Sequence, residues 1–182
     1  MKISRMIAAA VVAVIASLGV QSPAAAVIGP EGVPITRGAT YPNHWHYPSG
    51  VRTPISLPYQ WLDTGQTWAF GNVRLTLANG ELVMRRTGTN AIVWRSRTAG
   101  SGATQLLFQR DGNLVLYTAG YRRAVWDTNT NNDCAASGKQ PVLSLQSDSN
   151  LVIYCTNIQI LADGSVLFTG TTAIWDTNTN GV

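Results

Sequence analysis

Two nine-residue stretches of the chain agree at every second position. Gln109-Arg110-Asp111-Gly112-Asn113-Leu114-Val115-Leu116-Tyr117 and Gln146-Ser147-Asp148-Ser149-Asn150-Leu151-Val152-Ile153-Tyr154 both read Gln-x-Asp-x-Asn-x-Val-x-Tyr. Successive side chains of an extended strand point to opposite faces, so Asn, Val and Tyr of each copy project from one face. The Gln closes the preceding strand and the Asp stands in the turn, which predicts a compact polar cluster around one apolar residue. Such a cluster suits a polyhydroxylated ring. An ionised Asp accepts charge-assisted hydrogen bonds, Asn and Gln donate and accept, and Tyr offers a hydroxyl. Val can pack on ring carbons where a larger side chain would block entry, so the expected site is shallow with few, directed bonds. A turn that merely stabilises its own hairpin would account for Asp-Gly, but not for five positions matching twice.

Other residues with chemical potential lack partners in the sequence. His44 and His46 alternate around Trp45, with no third ligand or carboxylate nearby to complete a metal site. They are the only histidines, and no cysteine stands apart from an expected bridge, so a hydrolytic triad is unsupported. Asp111 and Asp148 would supply the paired carboxylates of a glycosidase, but their identical contexts argue for two copies of one binding pocket. Asp176-Thr177-Asn178-Thr179-Asn180-Gly181 imitates the start of a calcium loop, and Asp127 to Asn131 does the same. Neither is followed by the closing Glu, and both are better explained as turns between strands.

The elements that must position the motifs are short strands. Asn79-Gly80, Asp111-Gly112, Asp148-Ser149 and Asp163-Gly164 each separate runs of alternating apolar residues and predict hairpins. The flanking strands are expected at 73–78 with 81–85, 105–109 with 113–117, 142–146 with 150–154, and 158–162 with 165–169. Third strands with tryptophan follow, namely Ala91-Ile92-Val93-Trp94, Ala124-Val125-Trp126-Asp127 and Ala173-Ile174-Trp175-Asp176. No helical pattern of useful length occurs, so the chain is all-β. The pattern is an internal repeat whose units cannot bury their apolar faces alone, and Trp94, Trp126 and Trp175 are expected to be equivalent core residues.

The remaining stretches bound the setting. Lys2 and Arg5 precede an apolar run from Met6 to Val20, then Ala24-Ala25-Ala26, which predicts a secretory signal peptide over 1–26 and a secreted, extracellular protein starting at Val27. Residues 27–58, rich in proline, are expected to form an extended arm or linker, and 59–182 one domain. The formal charge of +4 falls to +2 without Lys2 and Arg5, and the arginines are scattered along the sequence. That argues against a nucleic-acid partner, and no later run reaches membrane-spanning length. Cys134 and Cys155, the only cysteines, are expected to form a disulfide closing a loop of 22 residues counting both ends.

The two motifs resemble those of the bulb-type mannose-binding lectins of monocot plants, a family with exported bacterial relatives, of which this chain is identified as an exported bacterial member. The resemblance covers about 59–182, including Leu62-Asp63-Thr64-Gly65-Gln66 and the tryptophan strands. It implies a β-prism II of three antiparallel sheets with pseudo-threefold symmetry, and no enzyme activity. It further implies that Asp111 with Asn113, and Asp148 with Asn150, hold the axial 2-hydroxyl of mannose. Gln109 and Gln146 would take the 3-hydroxyl, Tyr117 and Tyr154 the 4-hydroxyl, and Val115 and Val152 the ring carbons. Discrimination against an equatorial 2-hydroxyl is expected because it would leave buried Asp and Asn acceptors unpaired. No metal or cofactor is implied. The expected partners are mannose-containing glycans, with a homodimer as an open assembly, and a lectin-like bacteriocin recognising bacterial surface polysaccharide is the alternative of another class. The remaining hairpins depart from the pattern. The first offers Leu77, Asn79, Glu81, Val83 and Arg85, and the last Leu161, Asp163, Ser165, Leu167 and Thr169. Neither is expected to bind mannose, and the fourth hairpin is read as an insertion in the third unit.

Overall fold

Apolar residues at every second position become the inner faces of antiparallel sheets. The computed structural model describes residues 60–160 and 166–181, with the backbone of short strands at 27–28, 34–35, 44–46 and 53–55. The expected signal peptide and the turn at Asp163-Gly164 lie outside the described residues. In chain order the strands are β1 (Val27–Ile28), β2 (Pro34–Ile35), β3 (His44–His46), β4 (Thr53–Ile55), β5 (Gln60–Asp63), β6 (Thr67–Phe70), β7 (Val73–Ala78) and β8 (Glu81–Arg86). They continue with β9 (Ile92–Arg95), β10 (Ala103–Phe108), β11 (Leu114–Thr118), β12 (Ala124–Asp127), β13 (Gln140–Leu145), β14 (Leu151–Ile160) and β15 (Val166–Asp176).

Three sheets enclose the core. The first has the order β6-β7-β8-β9, the second β5-β10-β11-β12, and the third β13-β14-β15, continued by β3 and β4. Strands β1 and β2 pair with each other. The stretch 27–58 therefore includes paired strands, two of them in the third sheet. The strand β5 belongs to the second sheet while the next strand, β6, belongs to the first. The turn between them ties the two together, with Thr64 N–H donating to Thr104 O and Gly65 N–H to Leu77 O, both at 2.9 Å.

Inward residues alternate with outward ones on the hairpins β7-β8, β10-β11 and β13-β14. Val73, Leu75, Leu77, Leu82 and Met84 of the first sheet meet Leu106, Phe108, Leu114 and Leu116 of the second and Leu143, Leu145, Leu151 and Ile153 of the third in one buried cluster. Trp94, Trp126 and Trp175 pack edge to face in a triangle, with ring centroids 5.8, 6.1 and 6.1 Å apart. They are equivalent, as expected, but half-buried against the core rather than sealed within it. The register slips at the same place in all three sheets. Met84 opposes Trp94, Leu116 opposes Trp126 and Ile153 opposes Trp175, and the next pairs are Arg85 with Ile92, Tyr117 with Ala124 and Tyr154 with Ala173. The skipped residues, Val93, Val125 and Ile174, therefore pack on the core beside their tryptophans, which is what a β-bulge permits.

The hairpin turns close the ring of units. Gly80 lies against Ser101 and Gly102 ahead of β10, Gly112 against Pro141 of β13, and Ser147 against Gly71 in the turn after β6. The expected fourth hairpin is not a fourth unit. Strands β14 and β15 pair continuously from Val152 with Asp176 out to Ile160 with Val166, with slips near Tyr154 and Thr156. The extra residues thus lengthen the third unit's own hairpin, ahead of Ala173-Ile174-Trp175.

Cys134 and Cys155 form a disulfide with Cα atoms 5.0 Å apart. It joins the loop after β12 to β14. The closed loop predicts a contribution of about 3 kcal/mol through the unfolded chain. Native protein should show no free thiol, and reduction should lower the thermal midpoint; two titratable thiols would contradict the bridge. A second expectation concerns the two motif turns. Gly112 has φ +90°, and an added Cβ would sit 3.0 Å from Pro141 Cβ, so Gly112→Ala should destabilise by more than ~1 kcal/mol. Ser149 occupies the matching position at φ 77° with its buried hydroxyl unpartnered. Ser149→Gly should therefore stabilise by about 1 kcal/mol, read as a raised denaturation midpoint.

Candidate functional site

Both motifs fold into the same local structure. Gln109 N–H donates to Asn113 O at 2.8 Å and Gly112 N–H returns to Gln109 O at 3.1 Å, while Gln146, Asn150 and Ser149 repeat the pattern at 2.8 and 3.2 Å. Leu114 and Leu116 point to the core, so Asn113, Val115 and Tyr117 face outward; Leu151 and Ile153 orient the third sheet likewise. On each outer face Gln donates across the hairpin to Tyr, from Gln109 Nε2 to the Tyr117 hydroxyl at 2.8 Å and from Gln146 Nε2 to that of Tyr154 at 2.9 Å. Each Asp folds back on its turn, accepting the Asn113 or Asn150 backbone N–H on Oδ1 at 3.0 Å. The ten motif residues thus form two constellations of five, one on the second sheet and one on the third.

A supporting layer comes from residues whose sequence reads only as turns. Thr128 Oγ1 donates to Asn113 Oδ1 at 3.0 Å, and Thr130 N–H adds a bond at 3.3 Å. Thr177 and Thr179 do the same for Asn150 Oδ1 at 2.8 and 3.4 Å. Thr130 Oγ1 also donates to Gly112 O, and Thr179 Oγ1 to Ser149 O, tying turn to tryptophan strand. The twofold occurrence of Asp-Thr-Asn-Thr-Asn was the available signal. These bonds correct the expected chemistry of the site. Each Asn carbonyl is already taken by the protein, so the amide presents its two N–H donors. The carboxylates are not buried either, since Asp111 is half-buried and Asp148 exposed. The pair offers one acceptor group and one donor group, which a hydroxyl satisfies by donating to Asp and accepting from Asn.

The two constellations differ in their surroundings. Tyr117 packs edge to face on Tyr121, with centroids 5.5 Å apart, and joins Trp61, Leu107 and Val115 in a small apolar cluster on the outer face. Gln105 Oε1 holds that loop by accepting the backbone N–H groups of Gly120 and Tyr121 at 2.9 and 3.3 Å. Gln146 and Tyr154 are more exposed than Gln109 and Tyr117. A cleft of about 520 Å³ runs beside the first site, bounded by Arg110, Asp111, Asn132, Lys139 and the loop carrying Cys134, and of the motif residues it touches only Asp111.

The first sheet lacks the constellation, as expected, although the correspondence shifts by one residue. Leu77 pairs with Leu82 just as Phe108 pairs with Leu114, so Ala78, and not Leu77, stands where the other sheets have Gln. Its turn is one residue shorter. Leu167 and Thr169 of the last hairpin lie on the outer stretch of β15, away from both constellations in sequence register. Among the described residues, no three His, Cys, Asp or Glu side chains come together to hold a metal, and no helix is long and apolar enough to cross a membrane. His44 and His46 side chains lie outside the described residues.

No protein-family model and no curated protein sequence matches the chain. Solved structures do. A monomeric monocot mannose-binding lectin from Gastrodia elata is 32% identical, over 69% of this chain and 97% of that one, with a TM-score of 0.50. The Japanese Marasmius oreades lectin is similar in fold at 22% identity, over 81% of this chain and 98% of that one, with a TM-score of 0.52. The mannose-specific agglutinin of snowdrop, Galanthus nivalis, solved with methyl-α-D-mannoside, is 28% identical over 55% of this chain and 87% of that one, with a TM-score of 0.47. With three antiparallel sheets around one core and 32% identity over a match that spans 97% of the Gastrodia protein, this chain belongs to the monocot mannose-binding lectin family, as a carbohydrate-binding lectin.

Proposed function

We propose that the protein is a secreted lectin that recognises mannose or mannose-containing glycans through two pockets, one formed by Gln109, Asp111, Asn113, Val115 and Tyr117 and the other by Gln146, Asp148, Asn150, Val152 and Tyr154. The observation that carries this reading is the twofold recurrence of one polar network, with the Gln–Tyr bond across the hairpin and the Asn carbonyl held by two threonines. Groups oriented before the ligand arrives lose less freedom on binding, which matters most for a shallow site with few bonds. Each pocket offers a carboxylate acceptor beside an amide donor over a Val floor, a match for a hydroxyl next to ring carbons. An axial 2-hydroxyl is the group proposed to lie between Asp and Asn. Two weak pockets on one rigid body favour polymeric glycans through avidity.

Mannan should bind and be displaced by free mannose but not by galactose, with chelator without effect. Galactose competing as well as mannose would contradict the assignment. Asn113→Asp keeps the carbonyl-type acceptor used by Thr128 and Thr130 while removing the N–H donors. It should empty one pocket at a cost of about 1–3 kcal/mol, lowering calorimetric stoichiometry from two monosaccharides per chain to one with little change in thermal midpoint. Asn150→Asp should empty the other. Unchanged stoichiometry in both variants would remove these residues from the site.

A further inference from the structure

The first sheet has the same scaffold as its two sugar-site counterparts but carries a different outer face. Alignment by register sets Arg74, paired with Arg85, where the second sheet has Gln105 with Tyr117 and the third has Val142 with Tyr154. In the next row, Arg95 opposes Val83, whereas Asp127 opposes Val115 and Asp176 opposes Val152. At three equivalent positions, neutral or acidic residues have become arginine. Arginines scattered in the sequence are thus gathered on one face by the pleat.

This arrangement is unfavourable for the sheet alone, because like charges directly opposite on neighbouring strands repel. The arginines are nevertheless held in place. Arg74 Nη2 donates to Asn90 Oδ1 at 2.5 Å, and Arg85 Nη1 donates to Asn90 O at 3.2 Å. Arg95 lies 3.8 Å from Glu81, the carboxylate on this face, which sits at the position of Asn113 and Asn150. Among the described residues of this face, three guanidinium groups stand against one carboxylate, an excess of two positive charges. Val83 is buried beneath this row, and Ile92, exposed by 39%, flanks Arg85.

We propose that the outer face of the first sheet binds the carboxylate or phosphate groups of an acidic saccharide. Guanidinium forks match both anions in geometry and charge. Ile92 offers the exposed apolar surface for ring carbons, the part proposed for Val115 and Val152 on the other sheets. The face is confined to one sheet and includes a carboxylate, which suits a saccharide unit better than the continuous phosphate backbone of a nucleic acid. The protein would then engage neutral sugar on two faces and anionic sugar on the third.

The test uses the whole mature protein with polygalacturonate, which supplies carboxylates, and poly(glycerol phosphate), which supplies phosphodiesters; neither contains mannose. At low ionic strength one or both should bind, weaken as salt rises, and raise the thermal midpoint. Arg74→Gln with Arg85→Gln should weaken that binding at least tenfold while leaving mannan binding unchanged and the thermal midpoint of free protein equal or higher. The charge-matched control, Arg122→Gln with Arg123→Gln, should retain anionic binding. No binding to either polymer, equal loss in the control, or tighter binding of a single-stranded oligonucleotide than of both polymers would overturn the proposal. Failure of mannan binding alone would overturn only the mannose reading, since the anionic face shares no residue with those pockets.

Discussion

Each sheet carries an apolar face that its own strands cannot cover, and the mutual packing of three indoles is where the three sheets meet. Trp94, Trp126 and Trp175 touch edge to face in all three combinations. Such pairs contribute about 0.5–1.5 kcal/mol each beyond the area they bury. Their geometry also constrains everything around them. One tryptophan per unit at the same strand position makes the symmetry, and the bulge beside each lets Val93, Val125 and Ile174 turn inward as well. The leucines of the paired strands then fill the space between the sheets.

Because the inner faces are committed to this core, the outer faces are free to vary without disturbing it. The same hydroxyl pair ties turn to tryptophan strand in every unit. Ser96 and Thr98 play that part in the first, where Thr98 donates to Gly80 O, as Thr130 does to Gly112 O and Thr179 to Ser149 O. The pair is a property of the fold. It gains a second use only where Asn113 or Asn150 places a carbonyl within reach, converting a structural tie into support for an outward-facing amide. Where Glu81 stands instead, the scaffold persists and the polar constellation does not.

The third unit departs furthest from its siblings, and the disulfide sits where the departure begins. Cys155 lies on β14 where the strand runs on into the lengthened hairpin, and Cys134 lies in the loop ahead of β13. Lys139, from that same loop, donates to Gly170 O on the returning strand. Loop, strand and extension are thereby joined at one point. The cleft beside Asp111 has the Cys134 loop as one wall, so the bridge also defines the surroundings of the site on the second sheet.

Much of this was legible in the sequence because it rests on local rules. Alternation located the strands, turn dipeptides located the hairpins, and repetition singled out the ten motif residues and the three tryptophans. Local periodicity holds such information because the pleat repeats every two residues regardless of what lies opposite. What depended on strand pairing was not legible. A turn one residue shorter moved Ala78 into the place expected for Leu77. The threonines read as a turn proved to consume the carbonyl of an asparagine 15 or 27 residues away, so the hydrogen-bonding sense of that amide was set by a neighbouring strand. The gathering of Arg74, Arg85 and Arg95 on one face was likewise decided by register. Residue type and spacing determined which side chains face outward from a strand; only the pairing of strands decided which of them meet, and which of their donors and acceptors remain for a ligand.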